Sequence, residues 1–246
     1  MHSLFVIIPG FGSPHIPEKI AILQNNIRIL RQSIWNNLAI TIYVYDHTVF
    51  QLLPENLLNA SEITWIYKQG ILGEFIRYAN ISLIKADYII ILLDDVELQD
   101  NCNFEIICSY MEEYRYDILS PSLTLNSQIY YQYMLHADNV LYNIKNVSCC
   151  ELLCYIMTPE AYQKYYNEID IVNNIWLAGI DLILTRYLKL RIGLLNDMNM
   201  KHHYKNNRQE YTQQQNIGYQ SLLNKYQTDT DALAMQKAII SWTILG

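Results

Sequence analysis

The chain has 246 residues, of which 51% are hydrophobic and 17% charged, so it is long enough to bury a large core in one domain. Its 24 acidic residues outnumber 17 Lys and Arg, and the formal net charge of −7 argues against a nucleic-acid surface, which needs clustered basic residues. No apolar run approaches the roughly 20 residues of a membrane helix. We therefore expect no transmembrane segment, no signal peptide and, with five cysteines in no framework spacing, a cytoplasmic protein.

Apolar runs of strand length alternate with helical spacing in the first half of the chain. This alternation is typical of βα units that pack helices onto a largely parallel sheet. The predicted strands of this half are 4–8, 40–45, 63–67 and 88–93. The first helix should bury Ile20, Leu23, Ile27 and Leu30, which recur at spacings of three and four. The fourth strand is an unbroken apolar run, as expected for a central strand that is buried on both faces.

The second half is less regular but still alternates strands and helices. Its predicted elements are a helix at 104–114, a short strand near 118, a strand at 152–157, a helix after Pro159, a helix at 181–190, a strand at 192–195 and an amphipathic stretch at 232–244. Together the two halves predict an α/β fold with a mixed, mostly parallel central sheet flanked by helices.

Two adjacent acids, Asp94 and Asp95, directly follow the central apolar run. Ligands of open α/β sheets bind beyond the carboxyl ends of strands. Adjacent carboxylates at such an end repel each other unless a cation or a hydrogen-bond donor compensates. Mg²⁺ or Mn²⁺ would do so and would also hold a nucleotide diphosphate. The alternative is structural, with Asp94 ending the strand and Asp95 capping the next turn.

The order of these motifs resembles that of a GT-A glycosyltransferase. The resemblance is carried by Pro9-Gly10-Phe11-Gly12 after the first strand, Asp46 after the second, Gly70-Ile71-Leu72-Gly73, and the run 86–97, whose tail is similar to the D-x-D region of the family. More narrowly, the segments 8–15 and 70–73 resemble small glycosyltransferase domains that large DNA viruses of algae encode to build capsid glycans. A viral origin would imply the host cytoplasm.

The resemblance implies a single GT-A (Rossmann-like) domain that transfers a sugar from a nucleotide-diphosphate sugar, with UDP favoured, to a glycan or glycoprotein acceptor. It implies Mn²⁺ or Mg²⁺ as cofactor. The nucleotide-binding half would be about 1–100, the acceptor-side half about 101–205 and a helical tail about 206–246.

The family commonly uses an acidic residue at a helix start as catalytic base and a late histidine to complete the metal shell. Asp181 and His203 match these positions best, with His202 as the alternative ligand and Glu151 as a second acid on the acceptor side. No D-x-D triplet is present as such. We therefore favour Asp95 as the direct metal ligand and Asp94 as a partner toward the ribose or a metal-bound water.

Further candidates would bind the nucleotide or the sugars. Asp46 could accept from uracil or ribose, Lys68 could reach a phosphate, and the loop Pro9 to Gly12, like Gly70, could bring backbone close to the nucleotide. An Asx turn at Asp46 and a tight βα turn at the glycines are the structural alternatives. The aromatic residues Tyr130, Tyr131 and Tyr133 could stack on sugar faces.

Two other functions use the same residue types. A nucleotidyltransferase or phosphohydrolase also pairs carboxylates with Mg²⁺, but it would normally show a lysine-bearing phosphate loop or an early acidic nucleophile motif. The segment between Pro9 and Pro17 contains no Lys or Arg. A non-catalytic sugar-binding protein is the third possibility.

Overall fold

A computed structural model describes residues 1–79, 84–129, 131–137, 143–203, 209–229 and 239–243. Its strands are β1 Ser3–Phe11, β2 Asn37–Val44, β3 Ile63–Tyr67, β4 Tyr88–Leu92, β5 Val96–Leu98, β6 Ile118–Leu123, β7 Ile144–Val147, β8 Cys154–Met157, β9 Ile192–His202 and β10 Ile239–Thr243. Its helices are α1 Ile16–Leu30, α2 Val49–Leu52, α3 Glu55–Leu58, α4 Leu72–Tyr78, α5 Phe104–Tyr114, α6 Pro159–Glu168, α7 Ile180–Ile183 and α8 Gln209–Tyr226.

All of these strands belong to one mixed sheet in the order β10-β7-β9-β6-β8-β4-β1-β2-β3, with β5 paired to the end of β9. The four strands β3, β2, β1 and β4 are parallel neighbours. Beyond them β8 is antiparallel to β4, β6 is antiparallel to β8, and β9 runs parallel to β6. The predicted α/β class, with a mixed sheet and flanking helices, is confirmed.

One continuous apolar core fixes the sheet against its helices. Every residue of β4 is buried, as the apolar run predicted, and the predicted buried face of α1 is confirmed at Ile20, Leu23, Ile27 and Leu30. All five cysteines are buried and none forms a disulfide. No helix within the described ranges combines the length and apolar character needed to cross a membrane.

Two strands, β1 and β9, extend further toward the C-terminus than the sequence predicted. The strand β1 continues through Pro9 to Phe11, because a register shift after Ile8 and a positive φ of 83° at Gly10 accommodate a residue without an N–H. The strand predicted at 192–195 extends to His202, since β9 pairs with β5, β6 and β7 along its length.

Two predicted helical regions are also wrong. The helix expected at 181–190 is only the four-residue α7, and a left-handed residue at Lys189 precedes β9. In the C-terminal tail α8 is helical, but Ile239–Thr243 forms a strand that pairs antiparallel with β7. Pairing with a sheet edge distant in sequence decides this segment, and a local apolar pattern does not report such pairing.

Candidate active site

The strand directions bring most of the candidate residues to one edge of the sheet. Because β1, β2 and β4 are parallel, Gly12, Asp46 and Asp94 all lie beyond carboxyl ends at this edge. The pairings through β8 and β6 give β9 the same direction as β4, so its last residue, His202, also reaches this edge. The opposite direction of β8 brings Glu151, which precedes it, to the same place.

Asp94 is paired with a lysine inside the protein. The Nζ of Lys19, from the first turn of α1, lies 2.7 Å from Asp94 Oδ2 and donates to the carbonyl of Gly12 at 3.0 Å. Burial raises the pKa of Asp94 to about 7, although Lys19 and the N–H of Gly12 lower it. Lys19 therefore joins the loop after β1 to the end of β4.

The sequence prediction missed Lys19, yet its position carried a signal. Lys19 and Asn26 occupy the same helix face as Ile16, Leu23 and Leu30, where a charged or amide side chain must find a buried partner. Asn26 donates to the carbonyl of Val96 at 2.7 Å and accepts from the N–H of Leu98 at 2.8 Å. The buried face of α1 thus holds both Asp94 and the strand after Asp95.

Asp95 faces a histidine from β9. Oδ2 of Asp95 lies 3.4 Å from His202 Nε2, and the other ring nitrogen of His202 lies 2.9 Å from the carbonyl oxygen of Gln128. Burial lowers the pKa of His202, but the hydrogen bond to Asp95 and its charge outweigh this, and the charge of Glu151 adds to the rise. Asp95, His202 and Glu151 therefore form one electrostatic group.

His203 points to a different acid. Its backbone N–H donates to the carbonyl of Asp95 at 3.1 Å, while its ring Nε2 lies 2.8 Å from Glu97 Oε2. Pairing of β5 with β9 sets Val96 opposite His202, and side chains of successive strand residues point to opposite faces. The sequence favoured His203 as the late histidine, whereas the structure sets His202 beside Asp95.

Asp181 lies at the start of α7 and accepts a hydrogen bond from a tyrosine. The hydroxyl of Tyr131 donates to Asp181 Oδ2 at 2.9 Å. Burial is the main cause that raises the pKa of the Cys150 thiol, and the charges of Asp181 and Glu151 contribute to it. Both acids named from the sequence therefore lie near the segment that leads into β8.

The sugar-stacking residues proposed from the sequence make other contacts. The rings of Tyr131 and Tyr133 stack on each other, 5.5 Å apart and nearly parallel. Tyr130 lies outside the described residues. The protein therefore uses these two described rings in its own packing.

The residues expected to bind the nucleotide lie on the β1 to β3 side of this edge. Asp46 Oδ1 accepts from the N–H and hydroxyl of Thr48 at 3.0 and 2.7 Å, which is the Asx turn of the structural alternative. These bonds lower the pKa of Asp46. Lys68 is exposed and places its Nζ 3.3 Å from the centre of the Tyr78 ring, so the structure does not bring it to the acidic group.

Aromatic packing explains the early glycines. A Cβ at Gly12 would lie 2.7 Å from the ring of Tyr45, and one at Gly10 would lie 3.3 Å from the ring of Phe75. A Cβ at Gly70 would meet Glu74 at 3.3 Å, whose carboxylate accepts from the N–H of Ile71. The neighbouring side chains therefore leave little room for a larger residue at Gly10, Gly12 or Gly70.

The chain is similar to known proteins in its fold and not in its sequence. No protein-family model matches the sequence, and no curated protein matches it. Among solved structures, the chain is similar to GalNAc-T7 with UDP, GalNAc and Mn²⁺, at 10% identity and TM-score 0.67, covering 95% of this chain and 50% of that one. It is also similar to S. aureus TarS 1-349 in complex with UDP-GlcNAc, at 12% identity and TM-score 0.56, covering 85% and 61%.

A third structure, UDP-glucose pyrophosphorylase complexed with UDP-glucose, is 13% identical with a TM-score of 0.56 and covers 90% of this chain and 100% of that one. The chain has the GT-A fold. It spans between half and two thirds of the GalNAc-T7 and TarS chains. Identities this low carry the fold and leave activity to the chemistry of the site.

Two features of Asp95 and His202 indicate whether this edge of the sheet could bind a divalent cation. Oδ1 of Asp95 is buried and accepts no hydrogen bond from the described residues. A carbonyl only accepts, so the contact with Gln128 requires the proton of His202 on Nδ1 and directs Nε2 at the carboxylate. Metal-binding histidines commonly donate their other N–H to a backbone carbonyl in this way.

The described residues contain no group of three or more His, Cys, Asp and Glu side chains arranged around one metal position. Mg²⁺ is usually bound by one or two carboxylates together with substrate phosphates and waters. Asp95 and His202 therefore fit a cation that takes its remaining ligands from a diphosphate. Asp94, the other acid predicted from the sequence to bind the metal, has the ammonium of Lys19 2.7 Å from its Oδ2.

Proposed function

We propose that the protein is a glycosyltransferase that moves a sugar from a nucleotide-diphosphate sugar, with UDP favoured, to a hydroxyl of a glycan acceptor. The observation that carries the proposal is the pairing of Asp95 and His202 at the carboxyl edge of a GT-A sheet. The three similar structures contain UDP, UDP-GlcNAc and UDP-glucose respectively, which supports a uridine nucleotide as donor. In this proposal residues of about 1–100 bind the nucleotide and residues of about 101–205 face the acceptor.

Asp95 and His202 would hold Mn²⁺ or Mg²⁺, and the bound cation would neutralise the diphosphate. Lys19 has a supporting role, because it binds both Asp94 after β4 and the carbonyl of Gly12 after β1. Asp46 retains its proposed contact to uracil or ribose beside the hydrogen bonds that its carboxylate accepts from Thr48 and Ser13.

Asp181 is the proposed base for an inverting reaction. Its carboxylate takes the proton of the acceptor hydroxyl, the acceptor oxygen bonds to the anomeric carbon, and the bond from that carbon to the diphosphate oxygen breaks. The diphosphate leaves with the bonding electrons. Glu151 adds negative charge on the acceptor side, where it would accept a hydrogen bond from a sugar hydroxyl.

The test is product analysis by NMR with UDP-sugars, Mn²⁺ and a set of oligosaccharide acceptors. The expected products are UDP and the extended glycan, and Asp95→Asn should abolish them by removing the metal ligand. Asp100→Asn serves as the matched control, since it removes an exposed carboxylate with no proposed role and should retain turnover. Failure of every nucleoside diphosphate to bind in the presence of Mn²⁺ would overturn the proposal.

A nucleotidyltransferase is the second candidate function. The similarity to UDP-glucose pyrophosphorylase favours it. Incubation with a UDP-sugar and pyrophosphate would yield UTP and a sugar 1-phosphate in that case. The glycosyltransferase is preferred because the side chain of Lys19 is buried and paired with Asp94. Its ammonium is therefore poorly placed to bind a triphosphate.

A further inference from the structure

Asp181 is held by more than its own helix. The N-cap residue Gly179 has a positive φ of 73°, and a Cβ there would lie 2.5 Å from the ring of Tyr219 in α8. Such close packing fixes the backbone just before Asp181. The hydroxyl of Tyr131 then fixes the side chain, because it donates to Asp181 Oδ2 at 2.9 Å.

Tyr131 is itself held rigidly by its neighbour. Its ring stacks on Tyr133 at an angle of 4°, and the hydroxyl of Tyr133 lies 2.9 Å from the carbonyl oxygen of Cys149. Stacked rings with one end hydrogen-bonded lose little further freedom when a ligand arrives. The donor to Asp181 is therefore preorganised by the ring of Tyr133 and by the hydrogen bond that anchors this ring at Cys149.

A buried lysine anchors the backbone of this tyrosine segment. Lys145, in β7, is only 2% exposed and donates to the carbonyls of Tyr133 and Leu135. A buried ammonium is costly unless it is hydrogen-bonded, and here its partners belong to the tyrosine segment. Lys145 thus ties the turn that carries Tyr131 to the sheet.

We propose that Tyr131 is a positioning residue for Asp181, which it orients for proton transfer from the acceptor hydroxyl. The inference rests on the proposed function, in which Asp181 is the base. A phenol that donates to a carboxylate favours its ionised form, and this form is the one that accepts a proton. Burial and the charge of Asp181 both raise the pKa of Tyr131, so its hydroxyl keeps the proton that it donates.

The experiment compares Tyr131→Phe, Tyr110→Phe from α5 and Asp181→Asn in the full chain with the UDP-sugar and acceptor found active for the wild type. Both tyrosine variants lose one phenolic oxygen, but only Tyr131→Phe removes the hydrogen bond to Asp181. We expect Tyr131→Phe to lower kcat about 10- to 100-fold, as loss of a hydrogen bond to a charged group would. Its dissociation constant for UDP should not change.

The pH profile separates positioning from general damage. In Tyr131→Phe the acid limb of kcat/KM should move to higher pH, whereas Tyr110→Phe should keep the wild-type limb. Adding Tyr131→Phe to Asp181→Asn should cause no further loss, since the two residues act as one unit.

Two results would overturn the inference at different levels. If Asp181→Asn loses turnover while Tyr131→Phe keeps the wild-type kcat and pH profile, the positioning role is wrong and the base assignment survives. If Asp181→Asn keeps wild-type turnover, the base assignment itself is wrong and the positioning role fails with it.

Discussion

The buried pair between Lys19 and Asp94 makes a strong prediction about stability. Replacing Lys19 by Met removes the cation but leaves a carboxylate whose side chain is only 13% exposed. Breaking a buried ion pair from one side typically costs about 3–5 kcal/mol, because the remaining carboxylate must either stay charged without a partner or take up a proton. For a chain of this size about 2–4 °C is lost per kcal/mol, so Tm should fall by about 6–20 °C.

A double-mutant cycle identifies the pair as the cause. We expect Asp94→Asn to destabilise the protein as well, since it leaves the ammonium of Lys19 buried, and we expect the double variant to lose clearly less than the sum of the single variants. The free energy of unfolding is measured by urea denaturation at pH 7 for all four proteins.

The exposed pair between Arg28 and Asp100 is the control, because its side chains are 49% and 84% exposed. Arg28→Met should change stability by at most about 1 kcal/mol. If Lys19→Met costs no more than Arg28→Met, or if Lys19→Met and Asp94→Asn are additive, the two charges do not stabilise each other and the reasoning is refuted.

Two further predictions concern the histidines and the buried lysine. His202→Ala should abolish the Mn²⁺-dependent part of the Tm increase caused by UDP, and His203→Ala should retain it; the reverse result would make His203 the ligand. Burial lowers the pKa of Lys145 to about 8, so between pH 8 and its ordinary value the unfolded chain binds more protons than the folded one. Stability of the wild type should therefore rise with pH across this window relative to Lys145→Met, by up to about 3 kcal/mol in urea denaturation. Parallel pH curves for the two proteins would contradict this assignment.

The sheet was predictable where each strand carries its own apolar signal. The buried run at β4 and the helical face of α1 report local periodicity directly, and so does the position of Asp94 and Asp95 after a central strand. By contrast β5 has three residues and owes its existence to pairing with the end of β9. Such pairing joins residues about a hundred positions apart, and no local pattern records it.

The choice between His202 and His203 as the proposed metal ligand shows the same limit of local sequence patterns. Sequence alone located a histidine pair near a strand end but could not separate its members. The register sets Glu97 opposite Lys201, so alternation directs the His203 ring to the face of Glu97, while Asp95 lies in the turn before β5 and faces the ring of His202. Lys19 was not predicted for a different reason, because it lies beyond Pro17 on the buried face of α1 and not in the loop after β1.

The contacts with Lys19 and His202 change the interpretation of the adjacent acids Asp94 and Asp95. Their proximity seemed to require an external cation, yet Lys19 lies 2.7 Å from Asp94 and His202 lies 3.4 Å from Asp95. The protein thus supplies a separate cationic or potentially cationic partner for each carboxylate, and adjacency alone is no argument for a metal. The argument rests instead on Asp95 Oδ1, which is buried without a donor in the described residues, and on Nε2 of His202 directed at the same carboxylate. The proposed metal-dependent reaction would therefore depend on Asp95 and His202, while the pair of Lys19 and Asp94 joins the end of β4 to the loop after β1.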